Sequence, residues 1–311
     1  MSSLINIIIF LIVLFLYIHI SNQYKKSEDL EIYEMDYTNN RHLQEVCYIK
    51  QPVLFNYKVI NDEFFETMNL ELLSKHGTND IKIKDINDYW NPDSNNLDYV
   101  NLPFQSSQNL MTTDTNSKYF SENNNDFIED SGIIKLFNEN NSFLKPNFCA
   151  TTKYDICLGS KNTVTPLRYH TNYRHFICVN SGKISIKLTP WKSRKYLNIT
   201  EDYENFEFRS PINVWNPQKK FINDYDKIKF LEFDVQPGYM LYIPPYWFYS
   251  IKYSNSSENL ICGFTYNSIM NCVANIPNYS LYFLQQHNTK TKITKTLDIE
   301  PEVKPEPITT L

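Results

Sequence analysis

The chain has 311 residues, 42% of them hydrophobic and 15% aromatic, with six cysteines and a formal charge of −5. That length supports one core domain of about 200–250 residues plus appendages. An acidic chain, with pI near 5.7, lacks the positive field that phosphate neutralisation requires, so nucleic acid is not an expected partner. Cys47, Cys149, Cys157, Cys178, Cys262 and Cys272 show no tight pairing and no C-x-x-C, which excludes a disulfide scaffold.

In chain order, the run from Leu4 to Ile20 is uninterrupted by charge and long enough to cross a bilayer as a helix. No basic segment precedes it and no small-x-small site follows it. Residues 1–22 therefore read as an uncleaved, single-pass membrane anchor, with a cleaved signal peptide as the competing reading. Lys25 and Lys26 follow the span and point the rest of the chain to the cytosol, although two lysines leave both sides of the membrane open. The sequons at Asn140, Asn198, Asn255 and Asn278 are no more than an Asn-rich chain supplies by chance.

Residues 23–44 read as a polar tether and residues 45–287 as the domain. EVCYIKQPVLFNY, from Glu45, is its entry strand, and Asp62 to Gly77 forms a helix capped by Asn61 with Gly77 as its stop. The Asn/Ser/Asp/Thr-rich stretch 91–126 has few apolar anchors and reads as a long mobile loop or insertion. A short helix is expected over Phe127 to Phe137.

From Tyr154 to Pro190 the pattern is strand, turn, strand, turn, strand. Ile184, Ile186 and Leu188 alternate with Ser185, Lys187 and Thr189, the period of a strand with one buried face. After an aromatic-rich irregular segment, KFLEFDV, MLYIPP, FYSIKY and NLICGFTY give four more β-type runs. Many short strands with turn punctuation predict a sandwich or barrel. Met270 to Gln286 is expected to be a closing helix that Pro277 breaks or starts, and 288–311 a disordered tail.

TPLRYH followed by GKISIKLTP, with PGYMLYIPPYWFYSI further on, resembles the cupin-like JmjC family of 2-oxoglutarate oxygenases. In that family the blocks read approximately TPxHxD, then an Asn, a Gln and a Gly-x-Lys, and finally GDxLYIPxxWxH. The resemblance implies a mainly β fold, a double-stranded β-helix (jelly roll) with flanking helices behind the N-terminal transmembrane helix. It also implies Fe(II) and 2-oxoglutarate, but the metal-binding positions are changed. The first His falls on Arg168, the carboxylate on His170 and the distal His on Tyr249, while the Asn and Gln correspond to Arg174 and Cys178. A facial triad needs two His and one carboxylate. Arg with neutral His and Tyr instead carries +1, and a guanidinium offers a metal no lone pair.

No metal ligand set and no cofactor are therefore expected, with Fe(II) and 2-oxoglutarate as the alternative. By the same resemblance Thr165 and Lys183 fall on positions that contact the 2-oxoglutarate carboxylate in the asparaginyl-hydroxylase branch. Lys183, Arg168 and His170 in one barrel mouth, lined by Tyr169, Trp247 and Tyr249, would suit a small anion or an acidic protein segment. His175 and His19 have no ligand-spaced partners and read as non-functional. Three functions follow: a binding or structural module that has lost oxygenase chemistry, a working oxygenase with a non-standard metal site, or a metal-free enzyme with His170 as base and Tyr249 as acid.

Overall fold

The computed structural model describes residues 2–90, 99–256 and 258–288. The tail beyond 288 and the first part of the polar stretch, residues 91–98, lie outside the described residues. Fifteen strands are present among those described. They are β1 (Tyr33–Glu34), β2 (Val53–Asn56), β3 (Asp80–Asp85), β4 (Val100–Pro103), β5 (Tyr119–Ser121), β6 (Cys149–Gly159), β7 (Arg168–Tyr169) and β8 (Arg174–Ser181). Then come β9 (Ile184–Thr189), β10 (Thr200–Asp202), β11 (Glu207–Arg209), β12 (Leu231–Val235), β13 (Tyr239–Ile243), β14 (Phe248–Tyr253) and β15 (Leu260–Ser268).

The strands form two sheets in the orders β1-β2-β13-β8-β15-β6-β5-β3-β4 and β10-β11-β7-β14-β9-β12. From β6 to β9 each successive strand changes sheet, and the same is true from β12 to β15. This is the jelly roll that the period-2 runs and turn punctuation predict, with the two halves joined where β9 pairs antiparallel with β12. The β8–β9 connection crosses from sheet to sheet in a tight turn. Gly182 makes it possible: its φ is +71°, and a Cβ there would lie 2.4 Å from Asn259 Oδ1.

Side-chain alternation divides the interior into layers. Ile177, Val179, Leu241, Ile243 and Ile261 from the larger sheet meet Ile184, Ile186, Leu188, Tyr249 and Ile251 from the smaller one. The opposite face of the larger sheet, with Phe176, Tyr242, Phe264 and Tyr266, packs against Phe64, Leu73, Phe127 and Phe137. An aromatic layer containing Tyr169, Phe208 and Phe248 covers the back of the smaller sheet.

Several boundaries differ from the sequence reading. Residues 100–121 are integral structure: β4 and β5 flank β3, and a helix spans Phe104–Thr113 between them. Phe104, Met111 and Phe120 are buried. These anchors are too widely spaced among polar residues to give a periodic signal, which is why the stretch reads as a loop. The expected helix after Asn61 is two, Asp62–Thr67 and Leu70–Ser74, because Met68 leaves helical geometry and Asn69 re-caps the chain on the Leu72 amide. Likewise the helix expected over Phe127 to Phe137 is divided into Asn125–Asp130 and Ile134–Glu139.

The segment after the N-terminal helix is not a free tether. Tyr33–Glu34 pairs parallel with β2, and Asn40–Cys47 is a helix burying Leu43, Val46 and Cys47. The closing helix is also double, Ile269–Ala274 then Ile276–Asn288, with Pro277 near the start of the second, where a missing amide costs least.

Candidate functional site

Strands β7 and β14 are antiparallel neighbours that place Arg168 directly opposite Tyr249. Arg168 and His170, separated by two, share the inner face. The Arg168 guanidinium carbon lies 5.6 Å from the Tyr249 ring centroid, and the His170 ring is 6.2 Å from that of Tyr249. The register inferred from the two sequence blocks thus corresponds to one place in space. A fourth residue joins them from the larger sheet: the His175 ring is 4.8 Å from His170 and 6.0 Å from Tyr249. His175, read from the sequence as non-functional, is therefore a neighbour of His170 and Tyr249 in space. On β8 it belongs to the alternation of Ile177 and Val179, which aims it between the sheets.

The cluster is electrostatically closed. Arg168 makes a two-pronged ion pair with Glu122 through both terminal nitrogens and a 3.3 Å contact with Glu207. Lys84 Nζ donates to Glu122 Oε1 at 2.9 Å, and the Tyr89 hydroxyl to Glu207 Oε2 at 3.4 Å. Two cations and two carboxylates sum to zero, so the +1 expected from Arg168, His170 and Tyr249 alone is cancelled by residues the motif does not contain.

Nothing in the sequence marks Glu122 and Glu207. The first follows the short strand β5 inside the stretch read as a loop, and the second opens β11 in the irregular region. Only the alternation Ile81, Ile83 with Lys82, Lys84 hints that Lys84 lies on a structured face.

Burial opposes the charge on Glu122, but Arg168 and Lys84 more than offset it and hold the carboxyl well below its ordinary range. Burial also opposes charge on Arg168, and Glu122 above all keeps it protonated. His170 is pushed well below 6.5 by burial, His175 and Arg168; His175 is lowered to about 4 by burial and Arg168. Burial raises Tyr249 above 10.0 despite Arg168. At neutral pH the two imidazoles and the phenol are uncharged.

The donor set does not suit a divalent metal. His170 Nε2 lies 3.1 Å from the Ile243 carbonyl and His175 Nδ1 2.9 Å from Thr265 Oγ1, while both carboxylates are engaged by cations. Among the described residues no group of three or more His, Cys, Asp or Glu side chains is arranged to hold an ion. Fe(II) would have to approach a fixed guanidinium, which repels it and offers no lone pair.

The expected anion site is not assembled. Lys183 lies at the turn before β9, its alternation shared with Ser185 and Lys187, opposite to the inward Ile184, Ile186 and Leu188. It pairs with Asp234 at 2.7 Å on the outer surface. The inward position is Ile184, so Lys183 and Arg168 do not face one mouth. Thr165 is buried, and its hydroxyl accepts the Ile251 amide at 2.9 Å, closing the sheet rather than facing a ligand. Tyr169 belongs to the aromatic layer behind the smaller sheet, whereas Trp247 and Tyr249 belong to the inter-sheet core.

Arg174 and Cys178 are both buried. Arg174 donates to Gln44 Oε1 at 2.9 Å and stacks 3.9 Å from the Tyr173 ring, tying β8 to the helix Asn40–Cys47. Cys178 lies in the core beneath the helices.

Among curated proteins, the chain is similar to JmjC domain-containing protein D of Dictyostelium discoideum. Identity is 27% over 163 residues, covering 45% of this chain and 36% of that relative. This chain thus matches little more than a third of the relative's length. Residues 33–272 match the family described as the cupin-like domain. That span contains all of the jelly-roll strands, from β6 to β15, together with the helices packed on the larger sheet, and the chain belongs to the cupin-like domain family.

Proposed function

We propose that this chain is a membrane-anchored cupin-like protein that has lost Fe(II)/2-oxoglutarate oxygenase chemistry and serves as a binding or structural module. One observation carries the reading. Where the family resemblance implies a metal triad, the side chains are Arg168, His170 and Tyr249, and Arg168 is held by Glu122 and Glu207 in a charge-balanced buried network. Breaking such a network to admit a metal would expose uncompensated buried charges, a cost of about 3–5 kcal/mol.

A metal-free enzyme required His170 and Tyr249 to converge, which they do at 6.2 Å between ring centroids. Their electrostatics do not suit the chemistry. Burial, His175 and Arg168 destabilise the conjugate acid of His170, which makes it a poor base.

The anchor reading is supported by one helix, Ser3–Tyr24, long and apolar enough to cross a membrane, and by the way its end is built into the domain. Lys50 Nζ donates to the carbonyls of Asn22, Gln23 and Lys25 at 2.5, 3.2 and 2.7 Å, capping that helix. A cleavable signal would not contribute to the fold it leaves.

The test is iron content and 2-oxoglutarate decarboxylation by the full chain in detergent. The expected result is no Fe(II) retained at micromolar concentration and no succinate. Stoichiometric iron with succinate formation overturns the proposal. Arg168→His, His170→Asp and Tyr249→His together should create measurable metal affinity, since ligand identity and convergence are what the site lacks.

A further inference from the structure

Exposed apolar side chains adjoin the residues that hold the foot of the N-terminal helix. Tyr24 bonds the Ala274 carbonyl, which places the helix Ile269–Ala274 beside the point where the membrane helix meets the domain. Ile269 is half exposed and donates its backbone N–H to the carbonyl of Phe148, a residue of left-handed backbone that is 83% exposed. Ile49 is exposed next to Lys50, the residue that caps the helix.

The helix Ile276–Asn288 continues from there with two unlike faces. Tyr279 and Tyr282 pack on Phe206 at 5.4 and 5.7 Å between ring centroids, and Gln286 donates to the Glu204 carbonyl at 2.6 Å. Residues 279, 282 and 286 recur at helical spacing, so this side is docked on the domain. Ile276, Phe283 and Leu284 project from the other side, the last two 60% and 63% exposed. Among the described residues, most exposed large apolar residues outside the N-terminal helix belong to this helix or to the collar of Ile49, Phe148 and Ile269.

The connection between span and domain is also stiff. Lys26 Nζ sits 3.7 Å over Trp191 and 4.7 Å from Tyr246, and Lys192 donates to the Glu28 carbonyl at 2.7 Å. A domain strapped so close to its span cannot tumble freely, and the same face is always presented to the bilayer.

We propose that this collar is a lipid-binding face, with the helix Ile276–Asn288 lying along the bilayer surface and its Ile276, Phe283 and Leu284 side in the head-group and upper acyl region. The proposal rests on the reading of Leu4 to Ile20 as a membrane span. The occupant is lipid rather than a partner protein because Ile269 lies in the helix that Tyr24 bonds and Ile49 adjoins Lys50, which bonds the end of the same uncovered apolar helix, where the bilayer itself must begin.

The test uses the full chain in phosphatidylcholine vesicles carrying a radiolabelled lipid, with the photoreactive residue p-benzoylphenylalanine placed at Phe283, Phe148 or Lys183. Lys183 is the control. The Thr171 carbonyl is bonded by Asn271 and Asn275, whereas Lys183 follows the far end of the eight-residue β8, about 25 Å away. Irradiation should transfer at least about fivefold more lipid label at Phe283 and Phe148 than at Lys183.

Equal labelling at all three positions, in protein that resists carbonate extraction, overturns the lipid face while leaving the anchor in place. Cross-linking of Phe283 to protein instead of lipid also overturns it, assigning the face to a partner or a second copy. Release of the full chain by carbonate removes the anchor reading and this proposal with it.

Discussion

Between the sheets, Lys84, Arg168, Glu122 and Glu207 occupy an interior where apolar side chains are the rule; around the foot of the N-terminal helix, Ile49, Phe148, Phe283 and Leu284 lie exposed where polar ones are the rule. The two departures have different physical conditions. Buried charges persist only when paired and hydrogen-bonded, and here each cation meets a carboxylate inside the same domain. The charges balance inside the domain, while Arg168 Nε and His170 Nδ1 stay buried without a hydrogen-bond partner. Exposed apolar residues gain by removal from water, which the proposed lipid face would supply. At the positions where the family resemblance implies a metal triad, the charged side chains pair among themselves, and the exposed apolar side chains lie elsewhere.

The sharpest way to break this contrast is to remove the hub of the buried network. Glu122→Gln keeps the shape but leaves Lys84 without its ion pair and Arg168 with Glu207 alone. We expect a loss of about 3–5 kcal/mol, read as a fall in denaturation midpoint. The companion variant, Glu122→Leu with Arg168→Leu, Lys84→Met and Glu207→Gln, removes both cations and both carboxylates and should recover a large part of that loss, because apolar replacements of a buried ion pair are often neutral. If Glu122→Gln alone shifts the midpoint by no more than a surface substitution does, the network is not closed and the pocket is accessible to water.

How much of this was legible follows from where the signals lie. The jelly roll was readable because Ile184, Ile186 and Leu188 and the later runs carry period 2, and because Gly182 marks a turn with a real steric demand. The convergence of Arg168, His170 and Tyr249 followed from aligned blocks. Their neutralisation did not. Glu122 and Glu207 reach the site from segments without periodicity, and a carboxylate in a polar stretch looks like any solvated one. The nearness of His175 to His170 was not legible from metal-ligand spacing in sequence, because strand alternation alone sets its direction. Lys183 failed for the related reason that a one-residue difference in strand parity moves a side chain to the other face.

A smaller effect sharpens the comparison through pH. His175 is lowered from 6.5 to about 4, and His170 is lowered in the same sense. Between those values the unfolded chain binds protons that the folded one does not, so stability is full above pH 6.5 and falls as pH drops toward 4. Glu122, depressed below 4.5, adds a second loss that begins near pH 4.5 and continues downward. Asp155, raised from 3.8 by burial, acts in the opposite sense as pH rises through its folded value. His175→Asn should flatten the pH 6.5 to 4 limb by about 2 kcal/mol, while the loss below pH 4.5 remains. Urea midpoints at pH 7, 5.5, 4.5 and 3.5 separate the two; an unchanged slope in the variant between pH 7 and 4.5 would place the protons elsewhere.

The least effect is expected at Lys183, and its smallness is informative. Its ammonium is 2.7 Å from Asp234, as close as a good ion pair, but the two side chains keep 47% and 43% of their surface in water. Solvent screens the attraction, and holding two flexible side chains in one geometry costs entropy that offsets it, so Lys183→Ala should change stability by about 0–1 kcal/mol. Asp234 also accepts the Ser185 hydroxyl at 2.6 Å, which leaves it a partner after the substitution. The residue lies on the outer face of β9, so 2-oxoglutarate, succinate or phosphate should produce no Lys183-dependent rise in melting temperature. A ligand-induced rise that disappears in Lys183→Ala would mean that the side chain turns inward, against the alternation that buries Ile184, Ile186 and Leu188, and would reopen the barrel as a binding site.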